Sequence, residues 1–213
     1  MAHDWTWVET SLPKELVSIF AQDALQFESQ AEDSTVFGGS DVNARVTDLK
    51  TRASRHTWIP QSHWIAGFVM HYANLVNNEN YKYDLLGIDG GQLQYGIYGV
   101  GGHYTWHTDY DVANFEQYPT DYRHGLRDYQ TKNFVNSSSE LVRKLSFSLQ
   151  LTDPSEYEGG DLELVGFQGK TTQMKKGLGV IMFFDSRMIH RVTPVTKGER
   201  RSLVGWITGP RWK

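Results

Sequence analysis

The sequence contains no cysteine. That absence removes disulfides, zinc–thiolate sites, iron–sulfur clusters and thiol nucleophiles from consideration. Any metal must then be held by His, Asp or Glu, a donor set that selects a harder ion than thiolates do. Long apolar runs are also lacking. The longest strongly apolar stretch is about Val180 to Phe184, against the roughly 20 residues a membrane-spanning helix needs. The start, Met1-Ala2-His3-Asp4-Trp5, has no basic segment leading into an apolar one, so no signal peptide is expected. Positive charge is not in excess either. The formal net charge is -4, which gives no general reason to expect nucleic-acid binding. Together these absences make a cytoplasmic protein without a membrane partner the expectation. What is present is 39% hydrophobic and 22% charged residues in a chain of 213, enough for one globular domain with a full core.

The two halves of the chain differ in pattern. Up to about residue 90 the reading is mostly helical. Leu12-Pro13-Lys14-Glu15 can open a helix, and Leu16, Ile19, Phe20, Ala24 and Phe27 then recur at three-to-four spacing. A second helix is expected after Pro60, with Trp64, Ile65, Phe68, Val69, Tyr72, Ala73 and Val76 as its stripe and Asn77-Asn78 as its stop. From about residue 91 onwards the pattern is of strands, at Gln92–Tyr98, His103–His107, Lys144–Leu151, Asp161–Leu164, Gly179–Phe184, His190–Val195 and Ser202–Thr208. Gly101-Gly102, Asp153-Pro154, Gly159-Gly160 and Gly177 punctuate them, as in an antiparallel sandwich or barrel. Between them, Tyr110 to Arg143 is long, polar and aromatic. It reads either as a lid or as a surface excursion carrying a short helix.

The chemistry concentrates in three places. In His103-Tyr104-Thr105-Trp106-His107-Thr108-Asp109, strand alternation turns His107 and Asp109 to one face, so that an imidazole and a carboxylate stand side by side. Taken alone, His-x-Asp is common by chance. A third ligand can come from His190, which follows the apolar strand Gly179–Phe184. Two His and one carboxylate form the facial triad of non-haem iron(II) oxygenases, which leaves positions open for a 2-oxo acid and dioxygen. Iron suits this set better than zinc, which prefers fewer ligands, or calcium, which rarely takes imidazole. The third place is Gly198-Glu199-Arg200-Arg201. A planar guanidinium pairs with a carboxylate through two parallel bonds. Arg200 is the candidate to hold a dicarboxylate cosubstrate, and strand alternation should turn Arg201 away.

From Tyr98 to Trp206 the chain resembles the prolyl 4-hydroxylase-like branch of the 2-oxoglutarate/iron(II) dioxygenases, particularly the PKHD-type hydroxylases. The resemblance is carried by Tyr98-x-x-Gly101-x-x-Tyr104-x-x-His107-x-Asp109, by Leu149-x-Leu151-x-Asp153-Pro154-x-x-Tyr157-x-Gly159-Gly160-x-Leu162, and by His190-Arg191-Val192-Thr193-Pro194-Val195-Thr196-x-Gly198-x-Arg200. It covers about half the chain and keeps the order of the motifs. It implies a mainly β fold with flanking helices (α+β). The core would be a double-stranded β-helix, jelly-roll or cupin-like, with N-terminal helices packed on one side. All of 1–213 would then be one oxygenase domain, with about 1–90 as helical support, about 91–213 as core, and a lid-like insertion near 110–143. The resemblance also implies Fe(II), 2-oxoglutarate and dioxygen as the reacting set, often with L-ascorbate. It implies His107, Asp109 and His190 as metal ligands, Arg200 as a cosubstrate-binding and catalytic residue, and a cosubstrate contact from the Tyr98 hydroxyl.

An intact Asp109 favours hydroxylation over halogenation, because related halogenases carry a small residue there. The expected substrate is a protein or peptide prolyl residue, with a free amino acid or another small metabolite as the alternative. Two readings of other classes stand beside it. A non-oxidative cupin-like metal-binding jelly roll would have no use for Arg200. A metal-dependent hydrolase would act without oxygen. Ser148 or Gln150 is placed to line the same pocket, and Gly159-Gly160 reads as a turn or bulge. His103 is expected at the pocket edge or in a structural role, His124 in the insertion, and Trp106 and Trp206 in the core or pocket wall. His3, His56, His63 and His71 carry no assignment.

Overall fold

The computed structural model describes residues 7–37, 45–110, 114–115, 141–166 and 169–212. Along the chain, β1 (Trp7–Ser11) leads to α1 (Lys14–Glu28), then β2 (Glu32–Asp33), β3 (Val36–Phe37), β4 (Arg45–Val46), β5 (Arg52–Ala53) and β6 (Arg55–Pro60). Next come α2 (Trp64–Val76), a π-helical turn at Asn77–Tyr81, β7 (Gly87–Ile88), a 3-10 turn at Asp89–Gly91, β8 (Gln92–Tyr98), β9 (His103–His107) and β10 (Asn114–Phe115). The last part holds β11 (Leu141–Gln150), β12 (Tyr157–Gly159), β13 (Leu162–Val165), β14 (Thr171–Gln173), β15 (Val180–Asp185), β16 (His190–Val192), β17 (Val195–Gly198) and β18 (Arg200–Pro210).

Two antiparallel sheets carry the architecture. The larger runs β1-β15-β11-β18-β8-β6-β2, with β7 beside β18, and the smaller runs β10-β9-β16-β13-β14, with β5 beside β9. The period-two alternation of strands divides the larger sheet cleanly. On one face Leu93, Tyr95, Leu145, Phe147, Leu149, Ile181, Phe183, Leu203 and Ile207 pack with Val17, Phe20 and Ala24 of α1 and Ile65, Ala66, Val69 and Ala73 of α2. On the other face Tyr98, Met182 and Phe184 meet Leu162, Leu164 and Val192 of the smaller sheet. The fold is the double-stranded β-helix with helices on one side, as the resemblance implied.

The helices begin where the sequence placed them; α2 keeps most of its expected stripe, while the phase of α1 differs. In α1 the buried face is Val17, Phe20 and Ala24, while Ile19 is 51% exposed. Leu16, Val17, Ile19 and Phe20 are all apolar, so periodicity alone could not phase this helix. The pairing of β1 with β15 does so, setting Val17 against Gly179, where an added Cβ would lie 2.9 Å from Val17 Cγ2. In α2 Ile65, Ala66, Val69, Ala73 and Val76 are buried and Phe68 is largely exposed. The α-helix does end at Asn77, yet the chain widens into a π turn rather than opening into a loop. The Asn77 side chain closes it, donating to the Tyr83 carbonyl and accepting from the Tyr83 amide.

The N-terminal region is more than helical support. It gives β1 and β6 to the larger sheet and β5 to the smaller one. β6 alternates with period two, but with His56 and Trp58 on one face against Thr57 and Ile59 on the other, so its mixed polarity hid the strand. The seven strand segments expected from about residue 91 onwards all recur, with β11 and β18 longer than expected and His190–Val195 broken at Thr193-Pro194. Gly159-Gly160 is a bulge: the β12–β17 register shifts there, and both glycines have positive φ. An added Cβ at Gly159 would lie 2.2 Å from the Pro194 carbonyl oxygen. Most of the Tyr110-to-Arg143 insertion, with Tyr118, Tyr122, Tyr129, Phe134 and His124, lies outside the described residues, as does His3. No helix among the described residues is long and apolar enough to cross a membrane.

Candidate metal centre and its pocket

The antiparallel register of β16 against β9 puts His190 directly opposite His107, and Asp109 follows just beyond the end of β9. The three side chains converge, with one ligating atom of each within 4.8 Å of the others. His107 Nε2 lies 3.9 Å from Asp109 Oδ1, and His190 Nε2 lies 3.5 Å from Asp109 Oδ2. The other ring nitrogens face the backbone. His107 Nδ1 is 2.7 Å from the Thr105 carbonyl oxygen and His190 Nδ1 is 3.0 Å from that of Met188. A carbonyl can only accept, so each Nδ1 carries the proton and each Nε2 presents a lone pair to the centre. This is the tautomer a metal-binding imidazole needs.

The electrostatics agree. Burial holds the His107 imidazole well below its usual range, and the neighbouring His190 adds to this. Burial alone would raise the Asp109 carboxyl, but His190 and His107 outweigh it and hold the carboxyl below its usual value. Two imidazole nitrogens and an anionic carboxylate thus converge, and that donor set fits a divalent ion with open coordination positions.

One turn supports two of the three ligands. The Ser186 carbonyl accepts from the amides of Asp109 and Tyr110, and the Met188 carbonyl holds His190. Asp185, fully buried, fastens this turn. Its carboxylate accepts from the Tyr83 hydroxyl, from the Arg187 amide, and from Arg187 Nε and Nη2 at 2.9 and 2.7 Å. Nothing in the sequence marked Asp185. Its signal was only an acid at the end of an apolar strand, five residues before His190.

The triad opens into a pocket walled by both sheets. From the larger sheet come Arg200, Ser202, Val204 and Trp206 of β18, Gln94 and Tyr98 of β8, and His56 and Trp58 of β6. These are alternate residues of each strand. Arg200 is 2% exposed, and Arg201 points the other way, to Glu28 of α1 and to Glu199. Alternation thus separates the two arginines as expected. Arg200 pairs in register with Tyr98, its guanidinium carbon lies 5.3 Å from the Tyr98 ring centre, and Nη1 donates to Ser202 Oγ at 3.2 Å. Among the described residues no carboxylate is ion-paired with Arg200. Gly160 makes room for it, since an added Cβ would lie 3.0 Å from Arg200 Cδ. Ser148 lines the pocket, and Gln150 supports it by donating to Ser148 Oγ.

The remaining residues singled out in the sequence sort as follows. His103 sits between the carbonyls of Gly101 and Lys50, in a structural role. Trp106 packs with Val165 and Ile189, and Trp206 forms pocket wall. Sequence reasoning missed the N-terminal wall, Thr35, Arg52, His56 and Trp58. It also gave Tyr104 no role beyond its place in the motif, although its ring stacks on His107 at 3.5 Å between centroids. Desolvation pushes the Tyr104 phenol up to about 12, so it stays protonated at neutral pH.

Comparison with known proteins follows this geometry. The model of the 2OG-Fe(II) oxygenase superfamily matches residues 93–208. A PKHD-type hydroxylase of Maricaulis maris is 44% identical over 63 residues, covering 30% of this chain and 28% of that protein. One from Hyphomonas neptunium is 48% identical over 69 residues, covering 32% and 30%. The matched stretch thus spans less than a third of these relatives' length. Among solved structures, a Pseudomonas putida prolyl-4-hydroxylase superposes with a TM-score of 0.65 at 19% identity, covering 98% of this chain and 94% of that one. At that identity the likeness speaks for the fold.

Proposed function

The chain belongs to the 2OG-Fe(II) oxygenase superfamily, and from that premise we propose that it hydroxylates an unactivated C–H bond with dioxygen and 2-oxoglutarate as cosubstrates. In this reading His107, Asp109 and His190 hold Fe(II), Arg200 pairs with the far carboxylate of 2-oxoglutarate, and Tyr98 contacts the same cosubstrate. The observation that carries it is Arg200: a guanidinium buried in the same pocket as the triad, with no carboxylate of the described residues to neutralise it. Burying a charge costs several kcal/mol unless it is paired, and a dicarboxylate supplies the missing partner. That feature also counts against a non-oxidative jelly roll.

Iron, when bound, would supply the oxidising chemistry, and the chain's residues supply the rest. The Nδ1–carbonyl bonds fix both imidazoles in the ligating tautomer. The Ser186 carbonyl fixes the backbone of Asp109. Arg200 and Tyr98 orient the cosubstrate, and the walls of Trp58, Trp206 and Tyr104 exclude water and hold the substrate's reacting carbon near the centre. Asp109 occupies the carboxylate position, which supports hydroxylation rather than halogenation.

For the substrate, we propose a prolyl residue of a protein or peptide, in the manner of a prolyl 4-hydroxylase. Its support is the family branch and an aromatic pocket suited to a pyrrolidine ring. A free amino acid or other small metabolite is the second reading, supported by a second buried guanidinium, Arg52, that the carboxylate of such a compound could reach. Ascorbate belongs to the proposal as a reductant that restores oxidised iron. The mixing of N- and C-terminal strands in one sheet supports reading the chain as a single oxygenase domain.

The test is an anaerobic titration of metal-free protein with Fe(II), then 2-oxoglutarate. A visible charge-transfer band that forms in wild type and is absent in His107→Ala is expected. Iron binding without such a band would move the non-oxidative jelly roll to first place.

A further inference from the structure

Among the described residues only two arginines are buried, Arg200 at 2% exposure and Arg52 at 7%, and both line the pocket that holds the triad. The part-buried arginines are ion-paired: Arg143 with Asp89, Arg187 with Asp185, Arg191 with Glu163, Arg201 with Glu28 and Glu199. Neither buried arginine has a carboxylate within ion-pair distance among the described residues. One dicarboxylate cosubstrate, whose keto-acid end belongs at the metal, can satisfy one of them. The second buried arginine is left over.

Arg52 is held in place by a ring face and by polar contacts. It stands in register with Tyr104 across β5 and β9. Its guanidinium carbon lies 4.8 Å from the centre of the Tyr104 ring, which in turn stacks on His107. Two neutral oxygens fix its plane: Nε donates to Ser54 Oγ at 2.9 Å and Nη2 to Gln94 Oε1 at 2.8 Å. These bonds orient the fork but leave its charge uncompensated, and a guanidinium has five N–H donors to offer. A pre-oriented, partly desolvated guanidinium is a strong receptor for a carboxylate.

We propose that Arg52 is a carboxylate-recognition site for the substrate, so that the compound oxidised here carries an anionic carboxylate close to the reacting C–H bond. The carboxylate can be that of a free amino or imino acid, or an acidic side chain beside the target residue in a peptide. The binding claim stands on Arg52 itself. That the bound acid is the compound oxidised rests on the oxygenase reading above.

The experiment compares acid and amide twins on the metal-free full chain, with 2-oxoglutarate present, by quenching of tryptophan fluorescence. The pairs are L-proline and L-prolinamide, and two prolyl peptides that differ by Glu against Gln next to the proline. At least one acid is expected to bind about tenfold to a hundredfold tighter than its amide. That preference should be lost in Arg52→Gln and partly kept in Arg52→Lys. Preference in the amino-acid pair identifies a small-molecule substrate, and preference only in the peptide pair identifies an acidic peptide. Equal binding of acid and amide by wild type, binding of neither, or a preference that survives in Arg52→Gln overturns the proposal. Should Arg52→Gln fail to fold, the wild-type pairs and Arg52→Lys still decide it. Because the assay uses no iron and no turnover, an inactive enzyme would sink the oxygenase reading without touching carboxylate binding at Arg52. Stimulation of succinate formation by the preferred acid in iron-loaded protein then joins the two.

Discussion

Two parts of the pocket lining are built in different ways. At the metal end His107 and His190 come from adjacent strands of one sheet with Asp109 just beyond β9, and antiparallel register alone sets His190 opposite His107. The N-terminal wall, with Arg52, His56 and Trp58, comes from β5 and β6, which belong to different sheets and lie in the half of the chain that carries no recognisable motif. A metal dictates which side chains may surround it and how far apart they stand, so its end is written in short, stereotyped spacings. A substrate wall has no such grammar. It is specified by shape, and many sequences satisfy a shape.

The sharpest way to break this comparison is at the metal end. His107→Ala and His190→Ala should each reduce 2-oxoglutarate turnover to background, read as succinate formed. Retained turnover in either would detach the triad from the chemistry. Next in size is Arg200→Ala. Losing a charge-assisted pair worth about 1.5–3 kcal/mol should raise the dissociation constant for 2-oxoglutarate roughly tenfold to more than a hundredfold. Tight binding that persists would transfer the role to another cation, Arg52 first. Asp185→Asn comes third. Loosening the 185–188 turn should weaken metal affinity about tenfold to a hundredfold, measured by competition with a chelator, and should lower the melting temperature. If metal affinity does not move, the turn supports the fold but not the ligands.

The smallest effect lies on the helical side. Burial would raise the Glu28 carboxyl, but hydrogen bonds from Arg201 and Tyr95 hold it below its ordinary 4.5. A carboxylate depressed in the folded state contributes stability above 4.5 that is lost as pH falls through its folded value. Glu28→Gln should therefore lower the melting temperature slightly at neutral pH and flatten its fall below pH 4.5. An unaltered acid limb would show that Glu28 is not linked to folding.

How much the sequence revealed follows the same division. Seven strand segments from β8 onwards were legible because apolar or alternating runs there are bounded by glycine or proline, whereas the two- and three-residue strands β10, β12 and β14 are too short to show a period. The triad and Arg200 were legible because chemistry restricts both residue type and spacing. β6 was not, since its exposed-type residues face a cavity rather than solvent, and a polar residue reads the same in either place. Arg52 was invisible for the same reason: an arginine in a loop-like stretch reads as surface until the fold encloses it. Asp185 was missed because it works through the carbonyls of Ser186 and Met188, and backbone contacts leave no pattern in side-chain identity. The phase of α1 was unreadable because four of its early residues are apolar, and only tertiary pairing selects among them.

Arg200 and Arg201 stand back to back on one strand, one aimed at the pocket and the other tied to helix α1. In a strand, a shift of one residue exchanges the two faces along its whole length. Inserting or deleting a single residue in the Gly198-Glu199 connection between β17 and β18 would leave an arginine facing each way, yet would trade Ser202, Val204 and Trp206 for Leu203, Gly205 and Ile207 on the cavity side. The chain could preserve its charge pattern and still lose its pocket. The length of that connection should thus be as strictly constrained as the identity of any ligand, and an evolving relative could change what its pocket holds by substitution on these strands far more readily than by insertion.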